Sequence, residues 1–228
     1  MYDYILFDAD NTLFDFDKAQ FFGFNAVLRY YNCTFSEDIY ENYEAINHDL
    51  WTQFEQGKIS KDILQEKRFF DFFYRLGMSV DGAEANLIYQ TELSKQSWLV
   101  PHAKEICREL FPIASLAIVT NGVGKTQSLR ILNSEIGKYI TFSIISENVG
   151  YAKPDVKFFE EVFRIIGCGH NRNILIVGDS IASDIQGGIN AGIDTCWYNP
   201  KNLVKPSDIE INYVISDLYE LREILIDK

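Results

Sequence analysis

Five short apolar runs limit most strongly what this chain can fold into: YILFD (4–8), SLAIVT (115–120), FSIIS (142–146), NILIVGD (173–179) and DTCWY (194–198), with a weaker sixth at NYVIS (212–216). Each has strand length and is apolar without strict alternation, the pattern of a strand buried on both faces. The stretches between the later runs, at 125–137, 155–167 and 181–192, have helical length and period. Buried strands separated by helices form a parallel sheet covered on both sides. The expected fold class is therefore α/β, with a doubly wound parallel sheet.

The interval between the first and second runs breaks this rhythm. From Phe16 to Trp98 only helical patterning is visible, in LRYYN, IYENYEAINHDLWTQFEQG, SKDILQEKRFFDFFYRLG and GAEANLIYQTELSKQSW. That is too long for an ordinary crossover. It reads as a small helical domain, residues 16–98, inserted over the edge of a core made of 1–15 and 99–228. Hinges are expected where the two join, near 14–18 and 97–101.

Charge and cysteine usage narrow the function classes. The chain of 228 residues carries 21 Lys and Arg against 33 Asp and Glu, a net −12, with no basic cluster. This argues against a nucleic-acid polymer or an anionic membrane surface as partner, and leaves room for one small anion in a local site. Cys33, Cys107, Cys168 and Cys196 lack close pairing and metal-ligand spacing, and read as reduced core residues. No apolar run has spanning length, and Met1-Tyr2-Asp3 lacks the start of a signal peptide. The expected location is cytoplasmic.

In a parallel α/β sheet the ligand site lies beyond the carboxyl ends of the strands, where strand order reverses. Asp8, Asp10 and Thr12 follow the first strand, and Thr120, Asn121 and Gly122 the second. Gly150, Lys153 and Pro154 follow the third, and Gly178, Asp179, Ser180, Ser183 and Asp184 the fourth. Singly, each set has an ordinary explanation: a D-x-D turn, a helix start, a solvated lysine, an N-cap with a first-turn acid. Their coincidence on one rim does not.

Chemistry supplies the reason. Several carboxylates converging without a cation repel one another by several kcal/mol at intermediate dielectric, so they call for a hard divalent ion. Magnesium, which takes few protein carboxylates and favours phosphate oxygens, fits best. A lysine and an Asn-Gly turn opposite add the charge and N–H donors that a phosphoryl group needs. One carboxylate can attack phosphorus, and an acid two residues on can protonate the leaving oxygen.

DADNT (8–12), VTNG (119–122), AKPD (152–155) and GDSIASD (178–184) together resemble the four motifs of the haloacid dehalogenase superfamily, in order and at its usual intervals. The resemblance covers essentially the whole chain, and the helical insertion is similar to the family's C1-type cap on a Rossmann-like core. It implies that Asp8 is the nucleophile and a Mg2+ ligand, and that Asp10 is the general acid, with its backbone carbonyl on the ion. It further implies Thr120 and Asn121 as phosphate binders, Lys153 as the cation joining nucleophile and phosphate, and Asp179 as a direct metal ligand. Asp184 would orient metal-bound waters, and Thr12 would brace the loop.

Aspartate at position 10 favours phosphoryl transfer to water over carbon–halogen cleavage, because an alkoxide leaving group needs an acid. The stretches TNGVGKTQSLRI (120–131) and GIDTCWYNP (192–200) are similar to the noncanonical pyrimidine 5′-nucleotidases. The expected function is hydrolysis of a small phosphomonoester, a pyrimidine nucleoside 5′-monophosphate, through phospho-Asp8. A phosphosugar phosphatase or phosphoglucomutase-like enzyme with the same core stays open, as does a non-catalytic phosphate-ligand binding protein. Phe69, Phe70, Phe72, Phe73 and Tyr74, with Trp51 and Phe54, read first as core of the inserted domain and second as a base-stacking surface. Trp197 reads as a buried strand aromatic, and His48, His102 and His170 carry no assigned role.

Overall fold

The six apolar runs form one six-stranded sheet, parallel at every pairing, in the order β3-β2-β1-β4-β5-β6. The strands are β1 (Tyr4–Phe7), β2 (Ser115–Thr120), β3 (Phe142–Ile145), β4 (Ile174–Gly178), β5 (Asp194–Tyr198) and β6 (Tyr213–Ile215). The computed structural model describes residues 2–167 and 173–226, so Cys168 and His170 lie outside the described residues. The chain divides into two compact units, Met1–Phe16 with Ser97–Lys228, and Asp17–Gln96.

In the sheet unit, alternate side chains serve opposite faces. Ile5, Phe7, Leu116, Ile118, Leu175 and Val177 share one core cluster with Ala103, Ile106, Cys107 and Leu110 of the helix Ala103–Leu110. Leu6, Ala117, Val119, Ile144 and Ile176 face the other way, against Phe158, Phe159, Val162, Phe163 and Ile166 of the helix Val156–Ile166. Both faces are thus dry, which is why these strands read as unbroken apolar runs. Truncating a fully buried Phe here to Ala is expected to cost about 3–5 kcal/mol. The order reverses between β1 and β4, which opens the crevice beyond their carboxyl ends.

Two helices differ from the sequence expectation. The stretch 125–137 is helical only over Gly124–Leu132; Ser134 then accepts from the Gly137 N–H, and a 3-10 turn follows at Gly137–Tyr139. The stretch 181–192 splits into a π turn at Ile181–Ile185 and an α-helix at Gln186–Ala191. The strands match within a residue at each end.

The second unit is helical: α1 (Phe16–Tyr30) leads into it, followed by α2 (Glu37–Glu55), α3 (Lys61–Arg75) and α4 (Gly82–Leu93). Ser36, Ser60 and Asp81 cap α2, α3 and α4 by accepting N–H groups of the first turn. Phe24, Tyr43, Phe69, Phe72, Phe73 and Tyr89 fill the interior, all at 0% exposure, whereas Phe70 and Tyr74 stack on each other at the surface. Of the seven aromatics singled out from the sequence, Phe69, Phe72 and Phe73 are therefore core material, Phe70 and Tyr74 are exposed, and Trp51 and Phe54 are partly buried. A polar string crosses the same interior: Asn47 donates to Gln20, and Arg68 donates to Asn47 and Asn86. Cys33 is partly buried in this unit, and Cys107 and Cys196 are buried in the other. Among the described residues no helix is long and apolar enough to cross a membrane.

Candidate active site

The rim begins where β1 ends. The Asp8 N–H donates to Val177 O at 2.9 Å, extending the ladder towards β4 by one residue and fixing where the carboxylate emerges. The chain then turns tightly, with the N–H groups of Leu13 and Phe14 both donating to Ala9 O at 3.0 and 2.8 Å. Asn11 adopts φ 56°, a left-handed conformation that asparagine tolerates, and its side chain accepts the Phe16 N–H at 3.0 Å.

Lys153 is the hub. Its Nζ donates to Asp8 Oδ1 at 2.6 Å, Asp184 Oδ1 at 2.6 Å and Val119 O at 2.7 Å, so all three protons of an ammonium are used at 1% exposure. Asn121 aims it: the Asn121 amide donates to Lys153 O and accepts from Lys153 N, both at 2.9 Å. The Asn121 side chain is thus engaged in holding Lys153. Thr120 Oγ1 accepts from the Gly122 N–H at 3.0 Å and from Gln127 Nε2 at 3.3 Å.

Asp8, Asp179 and Asp184 each bring a carboxylate oxygen within 4.8 Å of the others. Asp184 reaches this cluster through the π turn, accepting the Ser180 N–H on Oδ2 at 3.1 Å. It also needs glycine at 178, because a Cβ there would collide with the Asp184 carboxylate. Asp179 is held from two sides: Thr12 Oγ1 donates to its Oδ1 at 3.4 Å, and Trp197 Nε1 donates to its carbonyl at 2.9 Å. Trp197 is only 2% exposed, so it is a buried strand aromatic that also steadies the acid loop.

Electrostatics follow from three acids sharing one cation. Burial pushes the Asp8 carboxyl from 3.8 up to about 7; Lys153 opposes the rise, and Asp184 and Asp10 add to it. Burial, reinforced by Asp8 and Asp184, holds Asp179 well above the ordinary carboxylate value. Burial disfavours the Lys153 cation, but Asp184 and Asp8 outweigh it and raise its value. At an effective dielectric of 20, two like charges 4 Å apart repel by about 4 kcal/mol. Oxygen-only donors and excess negative charge are what a hard divalent cation requires, so the residues present fit magnesium.

Asp10 is turned to different partners. Its Oδ2 accepts from Gln127 Nε2 at 2.5 Å, and its Oδ1 accepts from Arg130 Nη1. Gln127 and Arg130 lie on the helix Gly124–Leu132 at 2% and 0% exposure. Sequence reasoning singled out neither, although both fall in the stretch 120–131. The available signal was polar residues three apart beside the buried Ile131. The structure therefore brings Asp8, Lys153 and Asp184 into one bonded group, with Asp179, braced by Thr12, beside them. Asn121 and Thr120 stand beside it, and the Asp10 carboxylate is held separately.

Comparison with known proteins agrees with this geometry. Residues 5–198 match the family model described as haloacid dehalogenase-like hydrolase. Pyrimidine 5′-nucleotidase YjjG of Escherichia coli (strain K12) is 34% identical, covering 98% of both chains. Pyrimidine 5′-nucleotidase PynA of Streptococcus pneumoniae is 33% identical over 98% of this chain and 95% of its own. The HAD-hydrolase YfnB from Bacillus subtilis, whose magnesium-bound crystal structure reveals interdomain movement, superposes with a TM-score of 0.94 at 34% identity over 99% of each chain. With four strand ends delivering one bonded acid–lysine group, and with relatives matching along nearly its whole length, this chain belongs to the haloacid dehalogenase-like hydrolase family.

Proposed function

We propose that the enzyme is a magnesium-dependent phosphatase of small phosphomonoesters, with pyrimidine nucleoside 5′-monophosphates as its substrates and phospho-Asp8 as its intermediate. The observation that carries the reading is the Asp8 carboxylate, held on one oxygen by Lys153 within an acid cluster fit for a divalent ion. The nucleotide preference is supported by the two relatives that bear the name pyrimidine 5′-nucleotidase.

Asp8, the Asp10 carbonyl and Asp179 would hold magnesium, which supplies positive charge to the phosphoryl oxygens when bound. Lys153 on Oδ1 leaves Asp8 Oδ2 to attack phosphorus. The P–O ester bond breaks with its electron pair going to the leaving oxygen, and Asp10 gives that oxygen its proton. Water then attacks the acyl phosphate, Asp10 takes the water's proton, and inorganic phosphate and Asp8 are released. Thr120 Oγ1 and the Asn121 backbone N–H are the phosphate donors, since the Asn121 amide is engaged with Lys153 and the Gly122 N–H with Thr120 Oγ1. Residues 1–15 and 99–228 form the catalytic domain in this reading. Residues 16–98 form a cap that chooses the substrate, and the connections near 14–18 and 97–101 act as hinges.

The test is phosphate release from a panel of nucleoside monophosphates and sugar phosphates, with magnesium and with excess chelator. Magnesium-dependent release peaking on pyrimidine monophosphates is expected. Release peaking on sugar phosphates would keep the mechanism and remove the substrate assignment, and no release from any member would favour a ligand-binding protein. Asp8→Asn should reduce turnover to background; a variant that keeps wild-type rates would exclude the covalent route.

A further inference from the structure

Arg130 is an anomaly for a helix that only covers a sheet. A guanidinium at 0% exposure carries a desolvation cost that an apolar residue of similar volume avoids. Its partners give the reason. Nη1 donates to Asp10 Oδ1 and, at 3.2 Å, to Gln127 Oε1, while Gln127 Nε2 donates to Asp10 Oδ2. The two side chains thus grip both oxygens of one carboxyl group. The same guanidinium lies over the Phe14 ring at 4.9 Å and the Phe16 ring at 5.9 Å, in the connection leaving the sheet. The Arg130 carbonyl accepts from Ser97 Oγ at 3.1 Å, in the connection that returns.

The geometry points to Arg130, with Gln127 beside it, as the positioning residue of Asp10, fixing the direction of the acid's carboxyl group from a site anchored to both connections of the helical insertion. This rests on the phosphatase reading above. An acid catalyses only when its O–H lies within hydrogen-bond reach of the departing oxygen. Asp10 sits in a turn with 26% of its side chain exposed, so neighbours, rather than its own packing, must set its direction. Gly122 serves the same end, because a Cβ there would collide with the Gln127 side chain.

The step at issue is proton delivery: the Asp10 O–H bond breaks, its proton binds the ester oxygen, and the P–O bond releases its electron pair to that oxygen as the Asp8–phosphorus bond forms. A 4-nitrophenolate leaving group needs no such proton. The experiment therefore measures kcat/KM, which covers the steps up to release of the leaving group, for a pyrimidine nucleoside 5′-monophosphate and for 4-nitrophenyl phosphate, both with saturating magnesium.

Asp10→Asn is the benchmark, with a loss of roughly 100-fold or more on the nucleotide and a much smaller one on the aryl ester. Arg130→Met should follow it, losing roughly 10-fold more on the nucleotide than on the aryl ester. Arg130→Lys should recover part of the loss, and the Arg130→Met, Asp10→Asn double variant should be no worse than Asp10→Asn alone. Equal losses on both substrates, or losses that multiply in the double variant, would overturn the assignment. Where Arg130→Met does not fold, Gln127→Leu is read by the same ratio, and equal losses there overturn it as well. A wild-type enzyme that releases phosphate from neither substrate overturns the phosphatase reading and this one together.

Discussion

The sheet unit and the helical unit both bury cations, and they neutralise them differently. Lys153 and Arg130 meet carboxylates, on Asp8, Asp184 and Asp10. Arg68, at 1% exposure inside the helical unit, meets the amide oxygens of Asn47 and Asn86 and lies over the Tyr89 ring at 4.4 Å. Carboxylate partners hold opposite charges close while leaving the groups that the proposed mechanism uses as acid and nucleophile on the same side chains. Amides and a ring face meet the Arg68 Nη groups and π surface but offer no group that can attack or transfer a proton. The contrast separates a buried charge paired with carboxylates from one held by amides and a ring face.

The sharpest way to break this contrast is to remove one cation from each unit. Lys153→Met leaves Asp8 and Asp184 buried beside the Val119 carbonyl, and should lower stability by about 3–5 kcal/mol in urea unfolding with chelator present. Phosphatase activity should be lost with it. A fully stable Lys153→Met protein would mean that the acids are neutral or solvated in the folded state.

Next in size is a pH effect confined to the acid cluster. Burial raises Asp8 from 3.8 to about 7 and raises Asp179 as well, so both bind protons more tightly folded than unfolded. The Asp8 contribution to stability is complete below about pH 4 and is lost as pH rises through about 7, on the order of 4 kcal/mol, and Asp179 acts in the same direction. Magnesium competes with those protons. The rise in Tm on adding magnesium should therefore be larger at pH 8 than at pH 5, and an equal rise at both would remove the acids from the binding site.

The smallest effect belongs to the helical unit. Arg68→Met leaves the Asn47 and Asn86 oxygens short of a donor and should cost about 1–3 kcal/mol by thermal or urea unfolding. It should leave the magnesium-dependent shift untouched. A cost exceeding that of Lys153→Met would reverse the contrast.

Legibility differed between the same two regions. Strands buried on both faces leave an unbroken apolar signature, and Ser115–Thr120 and Asp194–Tyr198 were readable to the residue. The acids and Lys153 were readable because turn chemistry does not account for their convergence on one rim. Gln127 and Arg130 were not, since polar residues three apart on a helix have the spacing of a solvated face. Only tertiary packing shows that Thr126, Gln127 and Arg130 point inward beside Ile131. The π turn was hidden for a similar reason: its extra residue brings Asp184 to Lys153, a requirement of the site rather than of local propensity. In the helical unit, partly exposed Phe21 and Phe22 blurred the period of α1, and only its last turn was visible.

The pairing of the two connections has a consequence for how such a chain can change. Phe14 bridges Leu99, Asp15 N–H donates to Trp98 O at 3.0 Å, and Val100 N–H donates to Leu13 O at 3.0 Å. The insertion thus departs and re-enters through neighbouring positions, and to the sheet it is a single surface loop, however long. Loop closure grows only logarithmically with length, so the ladder between β1 and β2 is almost indifferent to what is strung between those ends. The helical insertion can therefore vary in length and content at little cost to the register that places Asp8 at the end of β1.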